Sequence, residues 1–136
     1  MTSDLPKTIW LVNDEENVRK AFAMMLAHDL SNIKLTQFEW SVQAWEALAK
    51  TKPDLLITAD AMVQMRGKDI AEQLFARGDT FPVIVTSAWE GTKKWVDALA
   101  AKGMNIRLLQ LPVQARDFWD ATRLALGLPP RHKSSS

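Results

Sequence analysis

Five short apolar runs, each followed by a polar turn and a helix-length amphipathic segment, constrain this chain more than any other feature it has. Thr8-Ile-Trp-Leu-Val12 gives way at once to Asn13-Asp-Glu-Glu-Asn17, after which Val18, Phe22, Met25 and Leu26 recur at the spacing of one helix face. Ile33 to Phe38 alternates as a strand does, and Val42, Trp45, Leu48 and Ala49 repeat as a helix does. Asp54 to Thr58, Pro82 to Thr86 and Ile106 to Gln110 supply three further strands. Behind them run helical stripes through Ile70, Leu74 and Phe75, through Trp95, Val96, Leu99 and Ala100, and through Phe118, Ala121, Thr122 and Ala125.

Strands that are apolar throughout need cover on both faces, and helix-length connections between them supply it, which makes the sheet parallel. Right-handed crossovers then give an α/β fold, a single (βα)5 doubly wound parallel sheet of flavodoxin-like type with strand order 2-1-3-4-5. In such a sheet the chemistry gathers outside the carboxyl ends of the strands. The segments of interest are therefore Asn13 to Glu16, Ala59 to Gly67, Ser87 to Gly91 and Leu111-Pro112. One domain is expected over residues 7–127, with 128–136 as a disordered polar tail, because Pro129 and Pro130 stop the last helix.

Composition closes off several functions. The chain has 136 residues with 17 Lys and Arg against 16 Asp and Glu, so a net charge of +1 gives it no field to recruit nucleic acid or an anionic membrane. Without cysteine there is no disulfide frame, thiolate zinc site or cysteine nucleophile. No stretch approaches the roughly 18 apolar residues of a membrane span, and the first residues carry no apolar leader core, so a soluble, cytoplasmic protein is expected. No glycine-rich phosphate loop is present, His28 and His132 are isolated, and Arg131-His-Lys133 is too short for a nucleic-acid patch.

Val12-Asn-Asp-Glu15, Pro53-Asp54, Met62 with Gly67, Pro82-Val-Ile with Ser87-Ala88, and Pro112 occur in that order at the ends of successive strands. Together they resemble the receiver domain of two-component response regulators, over about residues 7 to 127. The resemblance implies a magnesium site of two adjacent acids after the first strand and one after the third, the last also accepting a phosphoryl group. It further implies a hydroxyl after the fourth strand and a lysine before a cis-proline after the fifth. A hard cation takes oxygen ligands, and phosphoryl transfer needs positive charge about the developing anion.

Carried over residue by residue, the pattern falls on Asn13, Asp14, Ala59, Ser87 and Leu111, so only Asp14 and Ser87 keep the implied chemistry. The acceptor position lies six residues after Pro53 and eight before Gly67, and both counts reach Ala59 rather than Asp60. Side chains alternate along a strand, so an acid displaced by one residue points away unless a bulge restores it. The resemblance therefore implies a pseudo-receiver that binds protein partners without being phosphorylated: a histidine kinase, another response regulator or an output protein. Magnesium binding is expected to be weak or absent, with Asp14 as a residual ligand, and neither catalysis nor a cofactor is expected. Two alternatives stand beside it: an atypical receiver phosphorylated at Asp60, and a small-ligand binder using the same crevice. Val63 stands where the family usually has proline, and Leu108 falls near the position of its switching aromatic.

Several features have plainer readings. Asp14, Glu15 and Glu16 suit the first turn of a helix on electrostatic grounds alone, and Ser87 can be satisfied by backbone or water. Trp10, Trp45 and Trp95 fall at core positions. Trp89 lies in a loop beside the altered pocket, and Trp119 sits about 100° round its helix from Phe118, which points it to solvent. With Arg107 and Arg123 these two tryptophans mark the side made by the fourth helix, fifth strand and fifth helix, and the resemblance implies that this side serves a partner or a homodimer.

Overall fold

The computed structural model describes residues 5–130. Strands and helices alternate throughout: β1 (Lys7–Val12), α1 (Glu16–Asp29), β2 (Ile33–Phe38), α2 (Ser41–Leu48), β3 (Leu55–Ala59), α3 (Gly67–Arg77), β4 (Val83–Ser87), α4 (Gly91–Ala101), β5 (Ile106–Gln110) and α5 (Ala115–Ala125). All pairings are parallel and the strand order is β2-β1-β3-β4-β5, the expected arrangement. β3 and β4 are buried at every residue, whereas the edge strands β2 and β5 alternate toward solvent. β3 and β4 each run one residue later than the apolar pattern suggests. The Asp54 carboxylate is drawn out of β3 by the Thr8 amide at 2.8 Å and hydroxyl at 3.1 Å, and Pro82 has no N–H to give to a ladder.

The two-residue period of the strands sorts the core into two layers. Ile9, Leu11, Leu55, Ile57 and Ile84 meet Phe22 and Leu26 of α1 and Phe118 and Ala121 of α5. Trp10, Val12, Leu56, Val83 and Val85 meet α2, α3 and α4 through Leu48, Ile70, Leu74, Trp95 and Leu99. Phe22 and Phe118 stack with ring centroids 4.8 Å apart, tying α1 to α5 across the first layer. Trp10 and Trp95 are core residues as expected. Trp45 is half-buried, under the Arg77 guanidinium at 5.1 Å.

The packed unit extends past its expected end at residue 127. Leu128 is half-buried against the α1/α5 layer, its amide donates to the Arg123 carbonyl at 2.8 Å, and the Pro129 carbonyl accepts from Arg123. The rest of the expected tail, 131–136 with His132, lies outside the described residues. Among those described, no helix is long and apolar enough to cross a membrane. Phe118 is fully buried, so Phe118→Ala is expected to lower unfolding stability by about 3–5 kcal/mol, measured as a shift in the urea midpoint at constant slope.

Candidate functional site

At the carboxyl end of the sheet, Asn13, Ala59, Thr86, Ser87 and Leu111 come together with Glu15, Val18, Ala61, Ala88 and Trp89 around a cleft of about 330 Å³. Four of the five positions expected in the altered pocket therefore share one cavity. Asp14, the fifth, opens on a neighbouring shallow depression with Ala61, Met62, Val63 and Arg66. The floor is set by the register, since Ala59 ends β3 opposite Thr86 and Asn13 follows Val12 directly. Gly67 explains the spacing to Ala59: a Cβ on Gly67 would lie 2.4 Å from the Ala59 carbonyl oxygen, so α3 can begin this close to β3 only with glycine there.

Asp60 is not in the cleft. It continues the alternation of Leu56 and Thr58 toward α3 and α4, where it is 1% exposed. Arg66 reaches both carboxylate oxygens at 3.0 and 3.2 Å, the Thr92 hydroxyl donates at 2.6 Å, and the Trp95 indole N–H donates at 3.2 Å. A hydroxyl carries one proton. Thr92 gives its proton to Asp60, so its 2.7 Å contact with Ser87 requires Ser87 to donate; Ser87 Oγ in turn accepts from the Trp89 amide at 3.0 Å. A chain of bonds thus runs from the β4–α4 loop to a buried carboxylate, and the Ser87 proton is spent on it.

Asn13 and Asp14 are also occupied. Asn13 Oδ1 accepts from the Glu15 amide at 2.9 Å, and Asp14 Oδ2 accepts from the Val63 amide at 2.8 Å. Leu111 packs half-buried against the α1/α5 layer, and the Leu111-Pro112 peptide is cis. Among the described residues, no three His, Cys, Asp or Glu side chains are grouped so as to hold a metal ion.

The expected interaction face divides. Trp89 is 60% exposed and Arg107 is exposed, as anticipated. Trp119 and Arg123 correct the expectation, because both turn toward α1. Trp119 is half-buried, its indole N–H donates to the Met25 carbonyl at 2.9 Å, and its ring stacks on His28 at 5.7 Å. Arg123 forks onto Asp29 at 2.8 and 3.1 Å. Rotation from Phe118 was sound as geometry, but α1 lies where solvent was assumed.

Sequence reading passed over Arg66 and Thr92, and took Trp95 as packing alone. The signal was an acid at the end of a buried strand, which needs partners; an arginine six residues on and a hydroxyl at the start of the α4 stripe were there to supply them.

A family model described as the response regulator receiver domain matches residues 9–118. The chain belongs to that family. Response regulator MprA of Mycobacterium sp. (strain KMS) is 27% identical over 97 residues, 71% of this chain and 41% of that protein. DNA-binding transcriptional regulator NtrC of Escherichia coli (strain K12) is 31% identical over 80 residues, 59% of this chain and 17% of that protein. The chain thus spans well under half the length of either. The signal receiver domain of an HD domain-containing protein from Pseudomonas fluorescens Pf-5 superimposes with a TM-score of 0.77 at 21% identity, covering 93% of this chain and 90% of that one. The NtrX receiver domain from Brucella abortus gives 0.73 at 17%, covering 88% and 98%. These likenesses confirm the receiver fold of two-component signalling.

Arg66 is 42% exposed and Asp60 only 1%, so removing the arginine strands the carboxylate. Arg66→Met is expected to cost roughly 2–3 kcal/mol, below the 3–5 kcal/mol of a fully buried pair because water screens one partner. Chemical denaturation measures it, and a loss below 0.5 kcal/mol, within the usual surface-substitution scatter of about ±0.5 kcal/mol, would show that Asp60 does not depend on this pairing.

Proposed function

We propose that this receiver domain is a pseudo-receiver, working as a phosphorylation-independent protein-protein interaction module and catalysing no reaction of its own. One observation carries the reading: Ala59 stands at the end of β3 in the cleft, while the adjacent acid, Asp60, is turned to the opposite layer and fully engaged. Phosphorylation at Asp60 would require its carboxylate to leave Arg66, Thr92 and Trp95 and cross to the other side of the strand. The pleat and four hydrogen bonds oppose that.

The residues present do not fit magnesium. Of the three acids that the family resemblance implies, Asp14 alone is a carboxylate, and one of its oxygens already serves the Val63 amide. A divalent ion without a set of hard oxygen ligands gains too little to shed its water. The loss of Lys for Leu111 fits the same reading, since an ammonium beside Ala59 would be a charge without a partner. The partners are signalling proteins: a histidine kinase, another response regulator or an output protein, met in the cytoplasm. Association through α4, β5 and α5, with itself or another chain, rests on Trp89 and Arg107, since Trp119 and Arg123 are occupied within the fold.

Incubation with acetyl phosphate and magnesium, followed by intact-mass measurement, is expected to show no phosphoryl adduct, and Asp60→Asn is expected to behave identically. Stable incorporation in the wild type, abolished by Asp60→Asn, would establish the displaced acceptor instead. Calorimetric titration with magnesium chloride is expected to give only heats of dilution, and a saturable isotherm lost in Asp14→Asn would restore the metal site.

A further inference from the structure

The cleft has exchanged a charged lining for an apolar one. Val18, Ala59, Ala61, Ala88, Leu111 and the Trp89 ring form most of its wall. At about 330 Å³ it lies at the bottom of the range of roughly 300–1,000 Å³ typical of pockets for small molecules, a size that suits one inserted side chain.

Trp89 at its edge is exposed without being loose. Its amide donates to Ser87 Oγ, which is tied through Thr92 to Asp60. Its ring lies over Gly91, where a Cβ would come within 2.4 Å of the indole, so the first residue of α4 leaves room for the ring. The Arg66 guanidinium sits over the ring, 5.4 Å from its centroid. An aromatic side chain fixed before binding loses little freedom when it is covered, which is the character of an interface anchor.

The unpaired charge beside the cleft is mainly negative. Asp14, Glu15 and Glu90 follow or flank the cleft residues, and none of the three forms an ion pair among the described residues. Arg66 is committed to Asp60, whereas Arg19 keeps its charge while donating to the neutral Asn13 carbonyl, so three acids stand against one uncompensated cation. An apolar cavity with Glu15 in its lining, and with Asp14 and Glu90 next to its lining residues in the chain, complements a segment that is apolar at one position and cationic beside it.

We propose that the cleft receives an apolar side chain from a basic segment of a partner protein, laid against Trp89 in the space a phosphoryl group would otherwise occupy. The proposal rests on the phosphorylation-independent reading and adds the site and chemistry of the contact.

The capped tripeptide Lys-Leu-Lys serves as probe, followed by amide and indole chemical shifts of the intact protein, with Lys-Ser-Lys and Glu-Leu-Glu as controls. Saturable shifts centred on Ala59, Ala61, Ala88 and the Trp89 indole are expected, with affinity about fivefold weaker for Glu-Leu-Glu, the scale of two exposed ion pairs. Lys-Ser-Lys is expected to bind more weakly still. Trp89→Ala, and separately Leu111→Lys, which sets a cation in the cleft, should each abolish the localised shifts. Shifts scattered over the surface, equal binding of the acidic peptide, or full binding to both variants would overturn the proposal. So would localised binding of Lys-Ser-Lys equal to that of Lys-Leu-Lys, which would indicate a purely ionic contact. Acetyl phosphate treatment of the same sample separates the two readings: labelling overturns phosphorylation independence, whereas absent labelling with absent peptide shifts overturns the docking site alone.

Discussion

A carboxylate removed from water costs several kcal/mol unless donors surround it, and Asp60, 1% exposed at the end of a central strand, is where this fold meets that cost. Arg66 from the loop before α3, Thr92 and Trp95 from α4, and the Lys68 amide at 3.4 Å in α3 all converge on it. Three elements that the sheet alone would hold only through apolar contact are thereby fixed relative to one another. The bond directions also determine which way neighbouring groups must turn. Because Thr92 has one proton to give and Asp60 takes it, Ser87 must donate to Thr92, and the Ser87 proton is not available to anything that enters the cleft.

The same constraint reaches the surface. Ser87 accepts the Trp89 amide, so the first residues of the β4–α4 loop inherit their position from a buried carboxylate. Arg66 holds both Asp60 oxygens through Nη2, and its guanidinium carbon lies 5.4 Å from the Trp89 ring centroid. At Gly67 glycine is needed for want of space and not for backbone freedom. Gly67 lets α3 start against the Ala59 carbonyl, and Gly91 lets an indole lie over the start of α4.

Much of this was legible in the sequence because it depends on period. The (βα)5 register, the parallel sheet and its strand order follow from apolar runs separated by helical stripes, and the side of the strand on which Asp60 falls follows from the two-residue alternation along β3. Less legible was whatever depends on which element lies opposite. Trp119 is off the Phe118 stripe, as its number says, but the Met25 carbonyl and His28 of α1 stand there to receive it. Arg123 likewise meets Asp29, 94 residues away in sequence. Periodicity gives the direction of a side chain relative to its own axis, and the identity of the neighbour comes from the tertiary packing. Asp60 itself was read as displaced, but its four donors were spread from Arg66 to Trp95 and could be grouped only once α3 and α4 were placed.

Seen from the cleft, the residues at Asn13, Ala59 and Leu111 are consistent with one another electrostatically. Each is neutral where the family resemblance implies a charge, and the changes remove two negative groups and one positive group that would have faced each other and a cation. An isolated survivor would have been costly: a lysine beside Ala59, or a second buried acid beside Asp14, would lack the partner that justifies its burial. The charge pair that does remain, Asp60 with Arg66, lies across the pleat from the cleft and is satisfied within the protein. A cleft so neutralised gains nothing from an incoming anion and gains from an incoming apolar group. The position of that one ion pair therefore separates the part of the carboxyl end that ties α3 and α4 to the sheet from the cleft lined by Ala59 and Leu111.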